Sequence, residues 1–190
     1  MKRSVARSKT HSRLPRRKQA ARESRAAAPR SAKNPQAGER ADAFVVRAAE
    51  RADVAAVTAL DERITGLAKS AHWLELYDRQ KKAGQHAGIF LVAIGGGAPV
   101  RLFGFIVGEI RAWEFGSAPC GWVYALSVDP GSRLQGVGEA LLETMAEEFR
   151  AAGIAKMRTM VSRDNLLPML FFRGEGMMAG PYIQLEKDLT

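Results

Sequence analysis

Apolar residues recur along residues 43–188 with the two periods of secondary structure, and they predict an alternation of strands and helices. Short runs rich in β-branched and aromatic residues predict strands at 44–48, 89–94, 100–110, 121–128, 156–161 and 182–186. Apolar positions three or four residues apart predict helices at 53–64, 67–82, 136–152 and 165–173. The predicted order is therefore β-α-α-β-β-β-α-β-α-β, which is typical of an α/β domain.

The segment from residue 136 to residue 152 is the most regular of the predicted helices. Val137, Leu141, Met145 and Phe149 follow one another at intervals of four residues, so their side chains share one face. Glutamates occupy the positions between them and predict a solvated opposite face. We expect this helix to pack its apolar face against the sheet.

A glycine-rich turn leads into this helix from the preceding predicted strand. It reads Val128-Asp-Pro-Gly-Ser-Arg133-Leu-Gln-Gly136-Val-Gly138. Unpaired N–H groups at the positive end of a helix dipole bind phosphate or pyrophosphate. The two later glycines let the backbone approach such an anion, and Arg133 adds a positive charge. The dinucleotide fingerprint does not fit, because Leu141 stands where its third glycine belongs, and no P-loop sequence is present.

The turn resembles the central motif of the GNAT superfamily of acyl-CoA-dependent N-acyltransferases, V-x-P-x-x-[RQ]-x-x-G-x-[GA], at every specified position. The resemblance covers residues 43–188 and implies the GNAT fold over a domain of residues 43–190. That fold is a mixed, twisted central sheet of six to seven strands flanked by about four helices. The resemblance also implies acetyl-CoA as cosubstrate, with its pyrophosphate on the turn amides and its pantetheine arm along the preceding strand. The implied CoA-binding residues are Leu126, Ser127, Val128, Arg133, Leu134, Gln135, Gly136, Val137, Gly138 and Asn165.

A second family motif, N-x-x-A-x-x-x-Y-x-x-x-G-F, is recognisable from Asn165 onwards, with Gly176 and Met177 at the matching spacings. The resemblance implies that Asn165 hydrogen-bonds the CoA arm, although a helix N-cap is an equally suitable role for asparagine. Pro168 replaces the usual alanine, which the first turn of a helix tolerates. Phe172 stands where many members carry the tyrosine that protonates the leaving thiolate. No general acid is therefore implied at that position.

The resemblance implies direct attack of a primary amine on the thioester of acetyl-CoA in a ternary complex. Tyr124 and Glu109 are the candidate catalytic residues. Alternation along the strand places Tyr124 on the face of Leu126 and Val128, where its hydroxyl would relay a proton or replace the missing one; a core tyrosine is the alternative. Glu109 ends an apolar run and is a candidate base if burial raises its pKa, and a solvent-facing strand end is the alternative.

The excess of positive charge is confined to the start of the chain. The formal net charge is +9, but residues 1–40 hold thirteen Lys or Arg against two Glu, whereas residues 41–190 hold sixteen basic and eighteen acidic residues. Few large apolar residues occur before residue 43, so we expect residues 1–42 to form a disordered basic tail. Three roles stay open for it: a solvated extension, contact with nucleic acid or an acidic surface through residues 1–40, or an organelle transit peptide.

Cysteine and histidine usage argues against metal chemistry and disulfides. Cys120 is the single cysteine, and its apolar neighbours predict a buried, inert thiol. His11, His72 and His86 are scattered without metal-ligand spacing, so no metal ligand is predicted. No apolar run reaches transmembrane length and no secretory segment follows the basic start. We therefore expect a cytoplasmic protein that does not bind membranes.

The acceptor is less well defined than the donor. We expect a primary amine, either of a small molecule or of a protein, and a homodimer is a candidate assembly. Trp73, Tyr77, Trp113 and Trp122 suit a core better than an acceptor cleft. Two alternative functions stay open, namely a catalytically weak acyl-CoA sensor or scaffold that lacks the usual tyrosine, and a protein acetyltransferase tethered to nucleic acid by the tail.

Overall fold

The computed structural model describes residues 43–82, 88–97 and 100–189, and the predicted basic tail, residues 1–42, lies outside these ranges. The strands are β1 (Phe44–Ala48), β2 (Gly88–Gly95), β3 (Arg101–Arg111), β4 (Cys120–Val128) and β5 (Met157–Thr159). The α-helices are α1 (Val54–Thr65), α2 (Ser70–Lys82), α3 (Val137–Ala151) and α4 (Leu166–Gly174). Within the described ranges, no helix has both the length and the apolar character needed to cross a membrane.

The strands form one mixed sheet in the order β1-β2-β3-β4-β5. Neighbours from β1 to β4 are antiparallel, whereas β5 is parallel to β4. The parallel pair is joined through α3, because a parallel connection has to cross from one end of the sheet to the other. The mixed sheet and the four α-helices confirm the predicted α/β GNAT architecture, although the described residues contain five strands rather than six to seven.

The strand predicted at residues 182–186 is wrong, because the described chain after α4 contains no helix or strand. Ile183 is 81% exposed and Leu185 is 85% exposed, so these apolar side chains have no layer to pack against. The segment passes near β5 through a side-chain contact, in which the guanidinium of Arg158 lies 4.7 Å from the ring centroid of Tyr182. Alternating apolar residues cannot form a strand without a neighbour for their backbone groups.

One apolar layer lies between the sheet and α3. Leu141, Met145 and Phe149 of α3 are buried there together with Ile106 of β3 and Val123 of β4. An added Cβ at either of two sheet glycines opposite the Phe149 ring would meet that ring, at 3.0 Å from β3 and 2.3 Å from β4. The predicted apolar face of this helix is therefore the face that contacts the sheet, at very short range.

A second apolar layer lies on the opposite face of the sheet, under α1 and α2. Val57 and Leu60 of α1 and Trp73 of α2 pack there against Phe90 and Phe105 of the sheet. The Trp73 ring meets the Phe105 ring edge-on, with 5.0 Å between the centroids. Helices α1 and α2 therefore cover the face of the sheet that lies opposite to α3.

A β-bulge interrupts the regular alternation of side chains along β4. Val107 of β3 pairs with Ala125, and the following β3 residue pairs with Val123, which leaves Tyr124 as an extra residue on β4. Val123 and Leu126, three positions apart, consequently pack on the α3 side of the sheet, whereas Ala125 packs on the α1-α2 side. The bulge thus changes which face each residue of the second half of β4 occupies.

The strands β4 and β5 are paired over only three positions. The pairs join Gly121 to Met157, Trp122 to Arg158 and Val123 to Thr159. The hydroxyl of Thr159 then donates a 2.9 Å hydrogen bond to the carbonyl oxygen of Val123, where the ladder stops. Beyond this point β4 continues to Val128 without a β5 partner, so one side of its backbone is open to another extended molecule.

Candidate active site

The glycine-rich turn ends in an uncapped helix N-terminus. Gly136 immediately precedes α3 and has a φ of +80°, a left-handed conformation that glycine adopts without Cβ strain. No side chain caps this end of α3, and the N–H groups of a first helical turn have no intrahelical acceptor. Val137 is buried in the core, so only its backbone can face a ligand. Amides of this kind at the positive end of a helix dipole, here of a 15-residue helix, are groups that bind anions in proteins.

Leu134 adopts a strained conformation in the middle of the turn. Its φ is +63°, although left-handed backbone costs a non-glycine residue about 1–2 kcal/mol, and its side chain is fully exposed. The side chain therefore gains no burial that could offset the strain. Arg133 and Gln135 on either side are exposed as well. The conformation of Leu134 serves the direction of the turn's backbone, which is the part predicted to contact CoA.

Asp129 ties the turn to the rest of the domain. Its carboxylate lies 3.1 Å from a guanidinium nitrogen of Arg63 on α1 and 3.4 Å from one of Arg101 on β3. The N–H of Ser132 donates a 2.8 Å hydrogen bond to the backbone carbonyl of Asp129. Asp129 is 9% exposed and Ser132 is fully buried. This network connects the start of the turn to α1 and to β3.

A cavity of about 380 Å³ opens at the place where β4 and β5 separate. On one side it is lined by the end of β4, the loop after β5 and α4, including Leu126, Ser127, Val161, Ser162, Asn165 and Phe172. On the other side it is lined by α1, α2 and the link between them, through Asp61, Lys69, His72 and Trp73. Its volume suits small-molecule groups. The cavity therefore extends from the strand predicted to hold the donor to α1 and α2 on the other side.

Asn165 and Phe172 both line the cavity, as the second sequence motif predicts. Asn165 occupies the N-cap position of α4, but its side chain makes no capping hydrogen bond. The structural alternative for this asparagine therefore does not account for its amide. Phe172 is 8% exposed and its ring contacts that of Phe171 edge-on, with 5.1 Å between centroids. It contributes an apolar wall and no proton donor.

Tyr124 lies in the cavity wall, but not on the face that simple alternation predicts. The bulge turns it away from Leu126 and Val128 and towards α2, where the amide nitrogen of Gln80 donates a 3.1 Å hydrogen bond to its hydroxyl oxygen. Burial raises the pKa of Tyr124 above 10.0, and the nearby charge of Glu109 raises it further. The hydroxyl therefore stays protonated near neutral pH and can act as a proton donor.

Glu109 contacts a different set of residues. Its carboxylate accepts a 2.8 Å hydrogen bond from the side chain of Arg111 two positions along β3, and its side chain is 32% exposed. It is not one of the residues that line the cavity. The structure brings its charge near Tyr124 but gives it no contact with the reaction cavity. Its predicted role as a base stays a prediction without geometric support.

The acidic side of the cavity was missed in the sequence. Asp61 is 4% exposed, and its carboxylate accepts a 2.9 Å hydrogen bond from the indole N–H of Trp73. The ammonium of Lys69 lies 2.8 Å from the same carboxylate oxygen. One signal was present in the sequence, because Asp61 follows Val57 by four residues and so continues the buried stripe of α1. A charged residue in such a stripe indicates a partner or a ligand.

The described residues offer little other chemistry. Among them, no group of three His, Cys, Asp or Glu side chains is placed to hold a metal ion. Cys120 is a buried free thiol, 2% exposed, at the start of β4, which agrees with the burial predicted from its neighbours.

Comparison with known proteins agrees with this geometry. The profile of the Acetyltransferase (GNAT) family matches residues 36–173, whereas no curated protein sequence matches the chain. Similar folds occur in aminoglycoside N-acetyltransferase AAC(6')-Iy in complex with CoA (TM-score 0.65, 16% identity, 78% of this chain and 96% of that one) and in a Trypanosoma brucei acetyltransferase (0.61, 23%, 77% and 100%). Glucosamine-6-phosphate N-acetyltransferase from Arabidopsis thaliana is a third (0.62, 17%, 78% and 99%).

Proposed function

Because the chain belongs to the Acetyltransferase (GNAT) family, and is therefore an acetyltransferase, we propose that it transfers an acetyl group from acetyl-CoA to a primary amine. The amine attacks directly, with donor and acceptor bound together. The observation that carries this proposal is the cavity at the separation of β4 and β5, which reaches the open backbone of β4 on one side and a polar pocket under α1 and α2 on the other.

The residues of the turn fit the diphosphate of CoA. Uncapped first-turn amides of α3 and a left-handed Gly136 are the groups that bind such an anion, and the exposed side chain of Arg133 adds a positive charge beside them. The backbone of Leu126, Ser127 and Val128 would pair with the extended pantetheine arm. A similar structure, AAC(6')-Iy, was crystallised with CoA, which agrees with acetyl-CoA as the cosubstrate.

We propose Tyr124 as the proton donor of the reaction. The amine nitrogen forms a bond to the acetyl carbon and loses a proton to water, while the carbon–sulfur bond breaks and the sulfur gains a proton. Tyr124 can supply that proton, because it lines the cavity and its oxygen accepts a hydrogen bond from Gln80, and the phenolate that is left then takes back a proton from water. The raised pKa keeps the hydroxyl protonated. This arrangement replaces the hydroxyl that Phe172 lacks.

A second candidate function is an acyl-CoA sensor without significant turnover, and Phe172 is the observation that favours it. A phenyl ring in the cavity wall cannot protonate a leaving group. If Tyr124 does not supply the proton, the loss of a positioned acid would reduce the rate by about 10²–10⁴. The two candidates share the CoA site and differ only in chemistry.

The test starts with calorimetric binding of acetyl-CoA to the full chain and to two variants. Gly136→Glu combined with Gly138→Glu should abolish binding, because two carboxylates would face the diphosphate. Gln135→Glu adds one charge at an exposed position of the turn without changing a glycine. Ala155→Glu adds the same charge at an exposed position beyond the far end of α3 and serves as its control. Gln135→Glu should weaken binding about tenfold, and Ala155→Glu should leave it unchanged.

Release of free CoA thiol is then followed with a panel of primary amines. Turnover of any amine that depends on the turn supports the proposed transfer. Tight binding of acetyl-CoA without turnover of any amine would favour the sensor. Absence of binding to the folded wild-type chain would exclude both functions.

A further inference from the structure

We propose that Asp61 binds the positively charged second nitrogen of the acceptor, so that the preferred acceptors are small dibasic amines. This inference rests on the proposed acetyl transfer, and it assigns the substrate class of the same cavity. One amino group of such an acceptor would react at the open side of β4, and the other would stay protonated beside Asp61. The argument depends on what Asp61, Lys69 and Trp73 do in the structure.

Asp61 is a buried carboxylate whose contacts with the described part of the chain, a hydrogen bond and an ion pair, use one of its two oxygens. Its two hydrogen-bonding partners, the Trp73 indole and the Lys69 ammonium, both contact the Oδ2 atom, at 2.9 and 2.8 Å. Asp61 itself lines the cavity. A carboxylate has two oxygens and about four acceptor positions, so Oδ1 can accept further hydrogen bonds from a molecule in the cavity.

Lys69 shows which kind of group this pocket accepts. Its alkylammonium lies 2.8 Å from Asp61 Oδ2 and 6.0 Å from the centroid of the Trp73 ring. A carboxylate beside an aromatic face is a recognised combination for ammonium groups. The His72 ring lies edge-on to Trp73, with 5.2 Å between centroids, and completes the aromatic wall. The pocket therefore already holds an ammonium, contributed by the chain.

Lys69 is also the member of the pair that can give way. Its side chain is 34% exposed, whereas that of Asp61 is 6% exposed, and it comes from the link between α1 and α2 rather than from a helix. An incoming ammonium can share or take over Asp61 while Lys69 turns to water, because the partly exposed Lys69 ammonium can exchange its carboxylate contact for hydration. A buried Asp61 without any cation would be costly. The exchange keeps the buried charge paired throughout.

An anionic acceptor fits the pocket less well. Lys69 and the neighbouring His72 are the groups that would attract it, but the charge of Lys69 is already matched by Asp61 at 2.8 Å. An incoming carboxylate or phosphate would approach Asp61 as well, and like charges at short range repel. The arrangement consequently favours a cation over an anion.

The experiment compares three acceptors with the same four-carbon chain on the full-length protein: butane-1,4-diamine, butylamine and 4-aminobutanoate. Each kcat/KM is calculated from the concentration of the neutral amine, so that differences in basicity between the acceptors do not affect the comparison. We expect the diamine to exceed butylamine by about ten- to a hundredfold, the range of one hydrogen bond to a charged group. Asp61→Asn should lower the diamine to the level of butylamine while butylamine changes little.

Asp61→Asn keeps an oxygen that can accept a hydrogen bond from the Trp73 indole, and thermal unfolding checks that this variant folds. Two further variants, Glu62→Gln and Lys69→Met, complete the design. Glu62→Gln removes a charge from the adjacent, exposed position of α1 and should change nothing. Lys69→Met removes the competing ammonium, so the KM for the diamine should fall, a result that does not depend on the folding of the Asp61 variant.

Equal kcat/KM for diamine and butylamine, with Asp61→Asn without effect, would overturn the inference and leave the acetyl transfer intact. A preference for 4-aminobutanoate would overturn it too. One case remains, in which the protein shows no turnover of the diamine. Calorimetric binding of butane-1,4-diamine to the CoA-loaded protein tests the pocket in that case. Binding that is lost in Asp61→Asn but kept in Glu62→Gln, without turnover, would support the pocket and contradict the catalysis; absence of binding would overturn the pocket.

Discussion

The glycine-rich turn before α3 and the pocket under α1 and α2 offer different parts of the chain to the ligands proposed for them. The turn offers backbone amides, and its exposed side chains at Arg133, Leu134 and Gln135 point to solvent. The pocket offers side chains, with a carboxylate, an indole and an ammonium from Asp61, Trp73 and Lys69. A backbone site should tolerate loss of side chains but not added volume, whereas a side-chain site should show the opposite behaviour.

The largest expected effect comes from a side chain that lines the cavity. Tyr124→Phe should lower kcat by about 10²–10⁴, the value of a positioned proton donor, with little change in CoA affinity. Because the pKa of Tyr124 is raised by burial and by Glu109, wild-type activity should decline only above pH 10, and the variant should lack this decline. Rates across pH measure both. Tyr77→Phe, on α2 and outside the cavity lining, is the matched control, and an unchanged kcat in Tyr124→Phe would contradict the assignment.

Recognition by the backbone of the turn is tested by adding a methyl group there and by removing a side chain. An added Cβ at Gly138 would lie 3.2 Å from the Phe171 ring, so the ring or the first turn of α3 would have to shift by a few tenths of an ångström. Gly138→Ala should therefore weaken CoA binding about tenfold, whereas Arg133→Ala, which deletes an exposed charge, should weaken it only about two- to threefold. Calorimetry on both variants decides. The reverse order would mean that the turn binds through its side chains.

A smaller effect is expected at Asp129, which connects the turn to α1 and to β3. Asp129 pairs with Arg63 of α1 and Arg101 of β3 and so holds the turn in position. Asp129→Asn should weaken CoA binding about fivefold, because the turn loses its ionic anchors, which are individually worth at most about 1 kcal/mol. Arg63→Gln removes one anchor and should have a smaller effect. Wild-type affinity in Asp129→Asn, measured at low salt, would show that the turn holds its shape without them.

The smallest effect should concern stability and leave the turn and the pocket under α1 and α2 unchanged. Asp53 accepts hydrogen bonds from Arg47 of β1 at 2.7 and 3.0 Å and from the N–H of Glu50 at 2.8 Å. Although burial acts in the opposite direction, the Arg47 and Glu50 hydrogen bonds lower the pKa of Asp53 below 3.8. A lowered folded pKa gives stability that is present above pH 3.8 and is lost as the pH falls through the folded value.

Asp53→Asn should therefore lower the free energy of unfolding by about 1 kcal/mol at pH 7 and by much less in acid. Urea unfolding at several pH values measures this difference. Asp78→Asn, which removes an exposed partner of Arg51, provides the surface comparison. A loss for Asp53→Asn that does not shrink in acid would show that the carboxylate charge is not what stabilises this contact.

The helices and central strands followed from the sequence because their apolar periods are local and long. The predicted helix 136–152 became Val137–Ala151 and the predicted strand 121–128 became Cys120–Val128. The last predicted strand failed, since alternation at residues 182–186 cannot show whether a neighbouring strand is present. The second predicted helix was too long at its start, because Gly66 ends α1 in a left-handed conformation and α2 begins only at Ser70.

The sequence by itself determined the glycine-rich turn and the helix that follows it, because they are contiguous and the amides of the turn need no distant partner. It also supplied Asn165 and the absence of a hydroxyl at Phe172. Only the tertiary structure decided the pocket under α1 and α2. The bulge in β4 turned Tyr124 towards Gln80, and the packing of α1 on α2 brought Asp61 to Trp73 and Lys69. Such contacts depend on where separate elements meet, and no local period encodes that.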